Sequence, residues 1–299
     1  MKTVQDIRDA FGNGHGISRP VNWRAPVIFA SPHSGAIYPR GFRRAAGLSL
    51  TDLRRNEDAY VDHLFGATPR LGAPLLWARF PRCYVDVNRP GDDLPPEWLE
   101  PGASRLGASG SYKGRLGLGV VPTVIGENLP IHRTLPSRAE VQARLDALYW
   151  PYHRALGGLL HRAQSRWGEA LLIDCHSMPG TVPNRKTGRR HRRPDIILGD
   201  GHGKSAREET TSLLQSLFER RGYRVVRNHP YAGGHSTLHY GKPASGVEAV
   251  QIEINRDLYL DERNLVPHEG FTELGRDITA ICSDLIAARE IPEALQAAE

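Results

Sequence analysis

The chain has 299 residues, of which 39% are hydrophobic and 24% charged, a balance within the globular range that allows a sizeable buried core. No apolar run approaches the roughly 20 residues that a membrane helix needs, so we expect no membrane span. The first residues also lack the apolar stretch of roughly 7 to 15 residues found in secretory signals, so we expect no export.

The formal charge of +6 comes from one basic segment, residues 185–193, because it holds six basic residues and the rest of the chain is neutral. These residues are Arg185, Lys186, Arg189, Arg190, Arg192 and Arg193. Such a segment can bind nucleic acid or acidic lipid, can be a solvated loop, or can draw an anionic substrate toward a nearby site. We expect a solvated loop, with neither nucleic acid nor a membrane as partner.

The three cysteines, Cys83, Cys175 and Cys282, are odd in number and widely spaced. This pattern gives neither a disulfide framework nor a CxxC metal knuckle. It fits a reducing compartment, and we therefore expect a cytoplasmic protein.

In chain order, short β-rich runs alternate with helical patterns, which is typical of an α/β fold with a largely parallel sheet. We expect one domain over residues 1–299, built in three layers from a mostly parallel or mixed sheet with helices on both faces. The predicted strands are 27–30, 75–80, 84–87, 170–175, 195–198, 223–227 and 247–254. Ligands of open α/β sheets bind beyond the carboxyl ends of the strands, so a functional site is expected there.

Two helix starts are predicted by a serine and a glutamate at the spacing of a capping box. One is Ser137 with Glu140, and the other is Ser205 with Glu208. The first helix should be kinked at Pro151, since proline lacks the backbone N–H that the helix needs.

A last helix and a long loop complete the predicted elements. The helix carries one apolar stripe made of Phe271, Leu274, Ile278, Ile281 and Leu285. The loop, residues 92–128, is rich in glycine and proline and should run over the sheet. Loops of that length in compact domains are often lids or binding loops.

Two strand ends share one arrangement of residues: 27–35 reads VIFASPHSG, and 171–179 reads LLIDCHSMP. Each places a histidine, His33 or His176, where the strand leaves the sheet. The strand fixes the backbone while the imidazole projects into the crevice, which suits a metal ligand. Either histidine alone can be a hydrogen-bonded structural residue, but the matching pair favours a metal site.

A third ligand should be a carboxylate if the site has two histidines and one acid and leaves a position for water. The run RNEDAYVD, residues 55–62, supplies Glu57, Asp58 and Asp62 at the start of a predicted helix. Acidic residues also occur in first helical turns only to complement the helix dipole. Spacing does not choose between Glu57 and Asp58.

Glu253 interrupts the apolar pattern of the strand predicted over 247–254. A carboxylate in a buried sheet must be paired or used, so Glu253 is either a salt-bridge partner or a functional group. Metal-assisted hydrolysis needs a base that removes a proton from the attacking water, and Glu253 is the best candidate for that base.

Asn88 and Arg89 follow the strand predicted over 84–87. The planar guanidinium of arginine can bind a carboxylate through two parallel hydrogen bonds. Arg89, with Asn88 beside it, is therefore a candidate clamp for an acidic substrate; the alternative is a surface arginine that happens to precede Pro90.

Taken together, the motifs between residues 26 and 262 resemble the N-formylglutamate amidohydrolase family, relatives of the zinc carboxypeptidases and aspartoacylases. Each motif is weak alone, but their joint occurrence in this order is specific. They are SPHSG (31–35), NEDAYVD (56–62), VDVNRP (85–90), PYH (151–153), IDCHSMP (173–179), PDIILGD (194–200), NHPYAGG (228–234) and QIEINRDLY (251–259).

The resemblance implies a zinc carboxypeptidase-like fold and a cytoplasmic, zinc-dependent hydrolase of N-formyl-L-glutamate that acts in histidine catabolism. It implies one divalent metal ion held by His33, Asp58 and His176, and it selects Asp58 because the family pattern places an aspartate three residues before Val61-Asp62. The resemblance further implies that Glu253 is the general base and that Asn88 and Arg89 bind the substrate carboxylate. It also implies that Arg144, ahead of the PYH motif, is a further substrate-binding residue.

One departure from the family pattern affects the expected substrate. After NHPYAGG the chain reads HSTLHY, residues 235–240, where the family carries an aromatic residue and often an arginine. If this segment shapes the pocket, the substrate can be another small anionic N-acyl amino acid, and the protein a carboxypeptidase-like or other deacylase. Two further alternatives are a polyanion binder working through the basic segment and an inactive relative retained for binding. The sequence gives no oligomeric state.

Overall fold

A computed structural model of the protein describes residues 3–94, 111–126, 129–183 and 190–291. In these ranges, no helix is both long enough and apolar enough to cross a membrane. The chain forms two compact units. The first unit comprises Met1–Gly16, Pro32–Ala59 and Trp77–Leu156, and the second comprises Ile17–Ser31, Tyr60–Leu76 and Gly157–Glu299. The expectation of one domain over 1–299 stays a prediction.

Most strands of the described chain are short, whereas β6 and β11 are longer. The strands are β1 (His15–Ser18), β2 (Val27–Ser31), β3 (Leu75–Ala78), β4 (Val124–Ile125), β5 (Leu129–Pro130), β6 (Ala170–Met178), β7 (Thr181–Pro183), β8 (Arg190–Arg192), β9 (Ile196–Gly199), β10 (Val225–Arg227), β11 (Val247–Asn255), β12 (Leu260–Asp261) and β13 (Val266–Pro267).

Helices alternate with these strands along the chain. They are α1 (Val4–Phe11), α2 (Arg40–Ala45), α3 (Leu50–Arg54), α4 (Val61–Leu64), α5 (Thr68–Leu71), α6 (Tyr112–Arg115), α7 (Arg138–Arg144), α8 (Trp150–Trp167), α9 (Glu208–Glu219), α10 (His235–Tyr240) and α11 (Gly270–Ala288). A π-helical segment, Leu145–Tyr149, joins α7 to α8.

The main sheet of the described chain has seven strands in the order β1-β3-β2-β6-β11-β9-β10. β6 pairs in parallel with β2 on one side and with β11 on the other, whereas β9 runs antiparallel to β11. All nine residues of β6 are buried, as expected of a central strand covered on both faces. The expected α/β class, with a mixed sheet and helices around it, is confirmed.

Helices of the second unit pack against one another through apolar side chains, and α11 contacts α4, α5 and α9. The stripe predicted on the last helix is confirmed in α11, where Leu274, Ile278, Ile281 and Leu285 are buried. The capping box predicted at Ser205 is wrong, because the buried Ser205 hydroxyl donates instead to the carbonyl of Ala249 in β11, at 2.8 Å.

The N-terminus of α9 is capped from a distant strand. The N-cap residue is Arg207, whose backbone N–H donates to the Glu248 carboxylate of β11 at 2.7 Å. The same carboxylate accepts a hydrogen bond from the Thr210 hydroxyl at 2.7 Å. A carboxylate at a helix N-terminus complements the helix dipole, so this long-range contact replaces the local cap.

In the first unit, the helix start predicted at Ser137 is confirmed. The Ser137 hydroxyl accepts from the backbone N–H of Glu140 at 3.2 Å. A π-helical segment, Leu145–Tyr149, lies just before Pro151, and the kink expected at this proline stays a prediction. A helix widens there because the proline ring excludes the carbonyl four residues back.

Two local predictions for the first unit are wrong. Residues 84–87 form no strand: Tyr84 and Val85 are buried in an irregular turn, and the Asp86 N–H donates to Val120 rather than to a sheet. A short apolar run looks the same whether it is a strand or a buried loop. Glu57 and Asp58 precede α4 instead of opening a helix, and only Asp62 lies in its first turn, because the helix begins after Tyr60, whose backbone is left-handed with φ of 63°.

Candidate metal and substrate site

His33 lies just beyond the carboxyl end of β2, in a loop that packs closely against the backbone of Phe80. A side-chain carbon on Gly35 would lie 2.0 Å from the carbonyl oxygen of Phe80, which explains the glycine of the SPHSG motif. The backbone N–H of Asp58 donates to the carbonyl of His33 at 3.0 Å. Nδ1 of His33 lies 3.4 Å from Oδ2 of Asp58, with both side chains 2% exposed. Nδ1 of His33 and Oδ2 of Asp58 therefore lie close enough to bind the same ion.

The other ring nitrogen of His33 is held by Asp86. Nε2 lies 2.7 Å from Oδ1 of Asp86, and this oxygen also accepts the backbone N–H of Asn88 at 2.9 Å. Metal-ligating histidines in proteins almost always donate their second N–H to a carboxylate or carbonyl in this way. Asp86 thus leaves Nδ1 of His33 available on the side of Asp58.

Arg82 keeps Asp86 ionised. Its Nη2 lies 2.9 Å from Oδ2 of Asp86. Burial raises the pKa of the Asp86 carboxyl, but the charges of Arg82 and His33 outweigh it and hold that pKa well below its usual range. The carboxylate is therefore a permanent acceptor for the N–H of His33.

A carboxylate also lies close to His176 on β6. Its Nε2 lies 3.1 Å from Oδ1 of Asp174, two residues earlier on the same face of the strand. The other oxygen of Asp174 accepts from the Thr237 hydroxyl at 3.1 Å. Thr237 belongs to α10, so the segment that departs from the family pattern supports the carboxylate beside His176.

His33, Asp58 and His176 together make a group that could hold a metal ion: one ligand atom from each lies within 4.8 Å of the others, and all three residues are buried. Two imidazole nitrogens and one carboxylate oxygen suit zinc and leave a coordination position open. The donor set thus fits a zinc ion. The structure brings together the three residues expected as ligands.

Glu57, the other acid considered as a ligand, is engaged elsewhere. Its carboxylate accepts from Arg54 at 3.0 Å, and the side chain is 1% exposed. Asp62, the last acid of the run, accepts from the backbone N–H of His63 at 3.0 Å. Of the three acids, only Asp58 faces His33 in the described contacts.

Glu253, the expected base, lies next to His176 in the sheet. In the parallel register of β6 and β11, Glu253 is directly opposite His176, and Gln251 is opposite Asp174. Residues paired in this way share one face of the sheet. The Gln251 amide donates to Oε1 of Glu253 at 2.6 Å, and Glu253 is 8% exposed. The carboxylate is thus oriented and largely removed from solvent.

Asn88 and Arg89 lie in the loop after Asp86. The Nε of Arg89 donates to the carbonyl of Leu118 at 2.9 Å. The backbone of the loop is held by two residues near the start of α8: the Tyr149 hydroxyl donates to the Arg89 carbonyl at 2.8 Å, and Nε2 of His153 to the Val87 carbonyl at 2.9 Å. The PYH motif therefore positions the loop that carries Asn88 and Arg89.

Arg144 is buried among protein partners. Its guanidinium lies over the Tyr84 ring at 3.9 Å and donates to the Glu140 carboxylate at 2.7 Å. The side chain is 3% exposed. These contacts stabilise α7 against the Tyr84 turn, and the substrate-binding role of Arg144 stays a prediction.

Sequence reasoning missed Asp86, Arg82 and Asp174. Asp86 lies in VDVNRP and Asp174 in IDCHSMP, and a carboxylate two residues from a strand-end histidine was a signal for the second of these. Arg82 had no comparable signal, because its role depends on a turn that the sequence did not predict. Of the basic segment, residues 184–189 lie outside the described chain.

The chain is similar to known proteins over most of its length. Residues 25–260 match the N-formylglutamate amidohydrolase family. An N-formylglutamate deformylase of Pseudomonas aeruginosa is 31% identical over 271 residues, 88% of this chain and 92% of that protein. One of Pseudomonas putida is 31% identical over 242 residues, 80% of this chain and 83% of that protein.

A solved structure agrees with these sequences. The crystal structure of an N-formylglutamate amidohydrolase from Ralstonia eutropha JMP134 superposes with a TM-score of 0.85 at 34% identity, covering 93% of this chain and 98% of the other. This chain belongs to the N-formylglutamate amidohydrolase family.

Proposed function

We propose that the protein is a zinc-dependent amidohydrolase that cleaves N-formyl-L-glutamate into L-glutamate and formate. The observation that carries the proposal is the buried group of His33, Asp58 and His176, with Glu253 opposite His176 in the sheet. Relatives named for this activity support the substrate. In this proposal the enzyme is cytoplasmic and acts in histidine catabolism.

His33, Asp58 and His176 would hold the zinc ion. When bound, zinc polarises an amide carbonyl and lowers the pKa of water toward roughly 7. The chain contributes the hydrogen bond with Asp86 that fixes the imidazole of His33, and it places the Asp174 carboxylate beside His176. An orientation fixed before binding avoids an ordering cost when the ion arrives.

Glu253 would act as the general base and then as the general acid. Its carboxylate accepts a proton from the attacking water and passes it to the amine that leaves as L-glutamate. The hydrogen bond from Gln251 fixes Oε1, so the carboxylate cannot turn away toward solvent. A base with a fixed position near the reacting atoms contributes about 10²- to 10⁴-fold to such reactions.

Asn88 and Arg89 would bind one carboxylate of the substrate. The Leu118 carbonyl holds Nε of Arg89, and the side chain is 16% exposed, so the guanidinium is partly accessible in a fixed place. An arginine held in this way can bind a carboxylate through its terminal nitrogens at little further entropic cost.

The experiment is a formate-release assay on purified protein with N-formyl-L-glutamate, before and after chelation and after zinc is restored. We expect one zinc ion per chain, activity that disappears with the metal, and activity that returns with it. N-acetyl-L-aspartate and short peptides serve as comparison substrates for the other deacylase and carboxypeptidase alternatives. Formate release that is unaffected by complete metal removal would contradict the proposal, as would faster cleavage of either comparison substrate.

A further inference from the structure

N-formyl-L-glutamate carries two carboxylates, and Asn88 with Arg89 accounts for one of them. A second anionic group that enters a partly buried site needs its own positive partner, since an unpaired carboxylate away from water is costly. A partner for this second carboxylate is required only if the proposed function holds, and the assignment of that partner rests on it.

Arg193 is a half-buried arginine of the second unit that has no acidic partner among the described residues. Its guanidinium carbon lies 4.9 Å from the centre of the Tyr231 ring, and its Nη1 lies 3.9 Å from the Met178 sulfur. Its Nε is buried and lacks a hydrogen-bond partner in the described chain. Leaving a charged donor in this state costs free energy unless a ligand supplies an acceptor.

The neighbouring Arg192 shows the ordinary state of an arginine in this segment. Its Nη2 lies 3.3 Å from Oδ1 of Asp195, and its side chain is 61% exposed. The two arginines therefore differ in kind: Arg192 is solvated and paired, whereas Arg193 is packed against a ring and a thioether.

The backbone of Arg193 is fixed at the end of the central strands. Its N–H donates to the Gly180 carbonyl at 2.9 Å, just past β6. Its carbonyl accepts from the Arg224 guanidinium at 2.9 Å and from the Asn255 amide, at the end of β11, at 3.3 Å. The backbone of Arg193 is thus held by three residues of the second unit.

The register of the sheet relates Arg193 to the reacting groups. Met178, which its guanidinium contacts, is opposite Asn255, and His176 is opposite Glu253 two residues earlier. Residues two apart on a strand lie on one face, roughly 7 Å from each other. Met178, the residue that the guanidinium contacts, therefore lies on the face that carries His176 and Glu253, roughly 7 Å further toward the carboxyl end of β6 than His176.

We infer that Arg193 is a specificity-determining residue that binds the side-chain carboxylate of the substrate. The Tyr231 ring contacts the guanidinium, and an arginine packed against an aromatic ring can still bind a carboxylate through its terminal nitrogens. The contact selects N-acyl amino acids with an acidic side chain over those with a neutral one.

The test is equilibrium binding of L-glutamate and of its neutral isostere L-glutamine to the zinc-loaded protein, measured by calorimetry. Neither ligand is turned over, so the result does not depend on catalysis. We expect the wild type to prefer L-glutamate. Arg193→Gln should bind L-glutamate about 10- to 100-fold more weakly, the range of a charge-assisted hydrogen bond, and L-glutamine within about 2-fold of the wild type.

Arg192→Gln is the matched control, since it removes the same charge one residue away. It should leave both affinities unchanged; an equal loss of L-glutamate affinity would mean that general attraction, not a contact, is at work and would overturn the inference. Arg193→Lys keeps the charge and the packing stem, and it should retain part of the preference if Arg193→Gln folds poorly.

The inference is overturned if Arg193→Gln weakens both ligands equally or weakens neither, or if the wild type does not distinguish them. Failure of the proposed function is seen separately, as the absence of formate release from N-formyl-L-glutamate by the wild-type protein. A protein that prefers L-glutamate through Arg193 but releases no formate would retain the binding assignment and lose the reaction.

Discussion

Glu253 is the residue on which the proposed chemistry depends most. Its carboxylate is oriented by Gln251 and is opposite His176, but it is not among the three residues that could hold the metal. Its loss should therefore affect proton transfer without affecting metal binding.

We expect Glu253→Gln to keep its zinc and to lose about 10²- to 10⁴-fold in turnover of N-formyl-L-glutamate. Metal content and kcat are measured on the same preparation. Glu219→Gln, an exposed change at the end of α9, is the control and should match the wild type. Turnover within a few-fold of the wild type in Glu253→Gln would exclude Glu253 as the base.

Asp86 should increase the affinity for the metal although it is not itself a ligand. Its carboxylate fixes His33 from the far side of the ring, so Asp86→Asn should weaken zinc binding by about 10- to 100-fold, as loss of such supporting partners does elsewhere. The affinity is measured by chelator competition on the metal-free protein. Asp284→Asn removes an exposed carboxylate paired with Arg221 and should leave the affinity unchanged. Equal affinities in Asp86→Asn and the wild type would show that the contact has no role at the metal.

At the scale of elements, strand ends were predictable and the turns between them were not. The apolar runs of β2 and β6 placed His33 and His176 correctly, because a buried strand has a strong composition signal. The turn at residues 82–87 also contains apolar residues, Tyr84, Val85 and Val87, but it is irregular, and it carries Arg82 and Asp86. The capping of α9 by Glu248 could not be predicted either, because the carboxylate that accepts the hydrogen bond belongs to a strand distant in sequence.

His132 gives the segment before α7 a dependence on pH. Burial, and then the charge of Arg144, lower the pKa of His132 to about 4, so the folded protein holds it neutral. Its contribution to stability is fully present above the unfolded pKa near 6.5. It declines as the pH falls toward 4, because only the unfolded chain takes up the proton in that window.

We therefore expect the free energy of unfolding to fall less between pH 7 and pH 4.5 in His132→Gln than in the wild type. Urea denaturation of the metal-free protein at a series of pH values measures the difference. His161→Gln, on a helix of the second unit, serves as the control and should follow the wild-type curve. Parallel curves for His132→Gln and the wild type would show that His132 does not carry this dependence.

At the scale of the whole molecule, the family and its fold were predictable because several motifs occur in one order along most of the chain. Spacing along the chain did not choose between Glu57 and Asp58; in the structure Arg54 pairs with Glu57, whereas Asp58 faces His33. The role of Arg193 was hidden as well, since a run of basic residues does not show which of them is packed against a ring.

The proposed chemistry requires one metal ion held by His33, Asp58 and His176. Diffraction from zinc-loaded crystals on either side of the zinc absorption edge locates this ion. We expect one anomalous peak per chain, in contact with a ring nitrogen of each histidine and a carboxylate oxygen of Asp58. A peak elsewhere with none at these three residues, or coordination by Glu57 in place of Asp58, would show that the metal site is wrongly assigned.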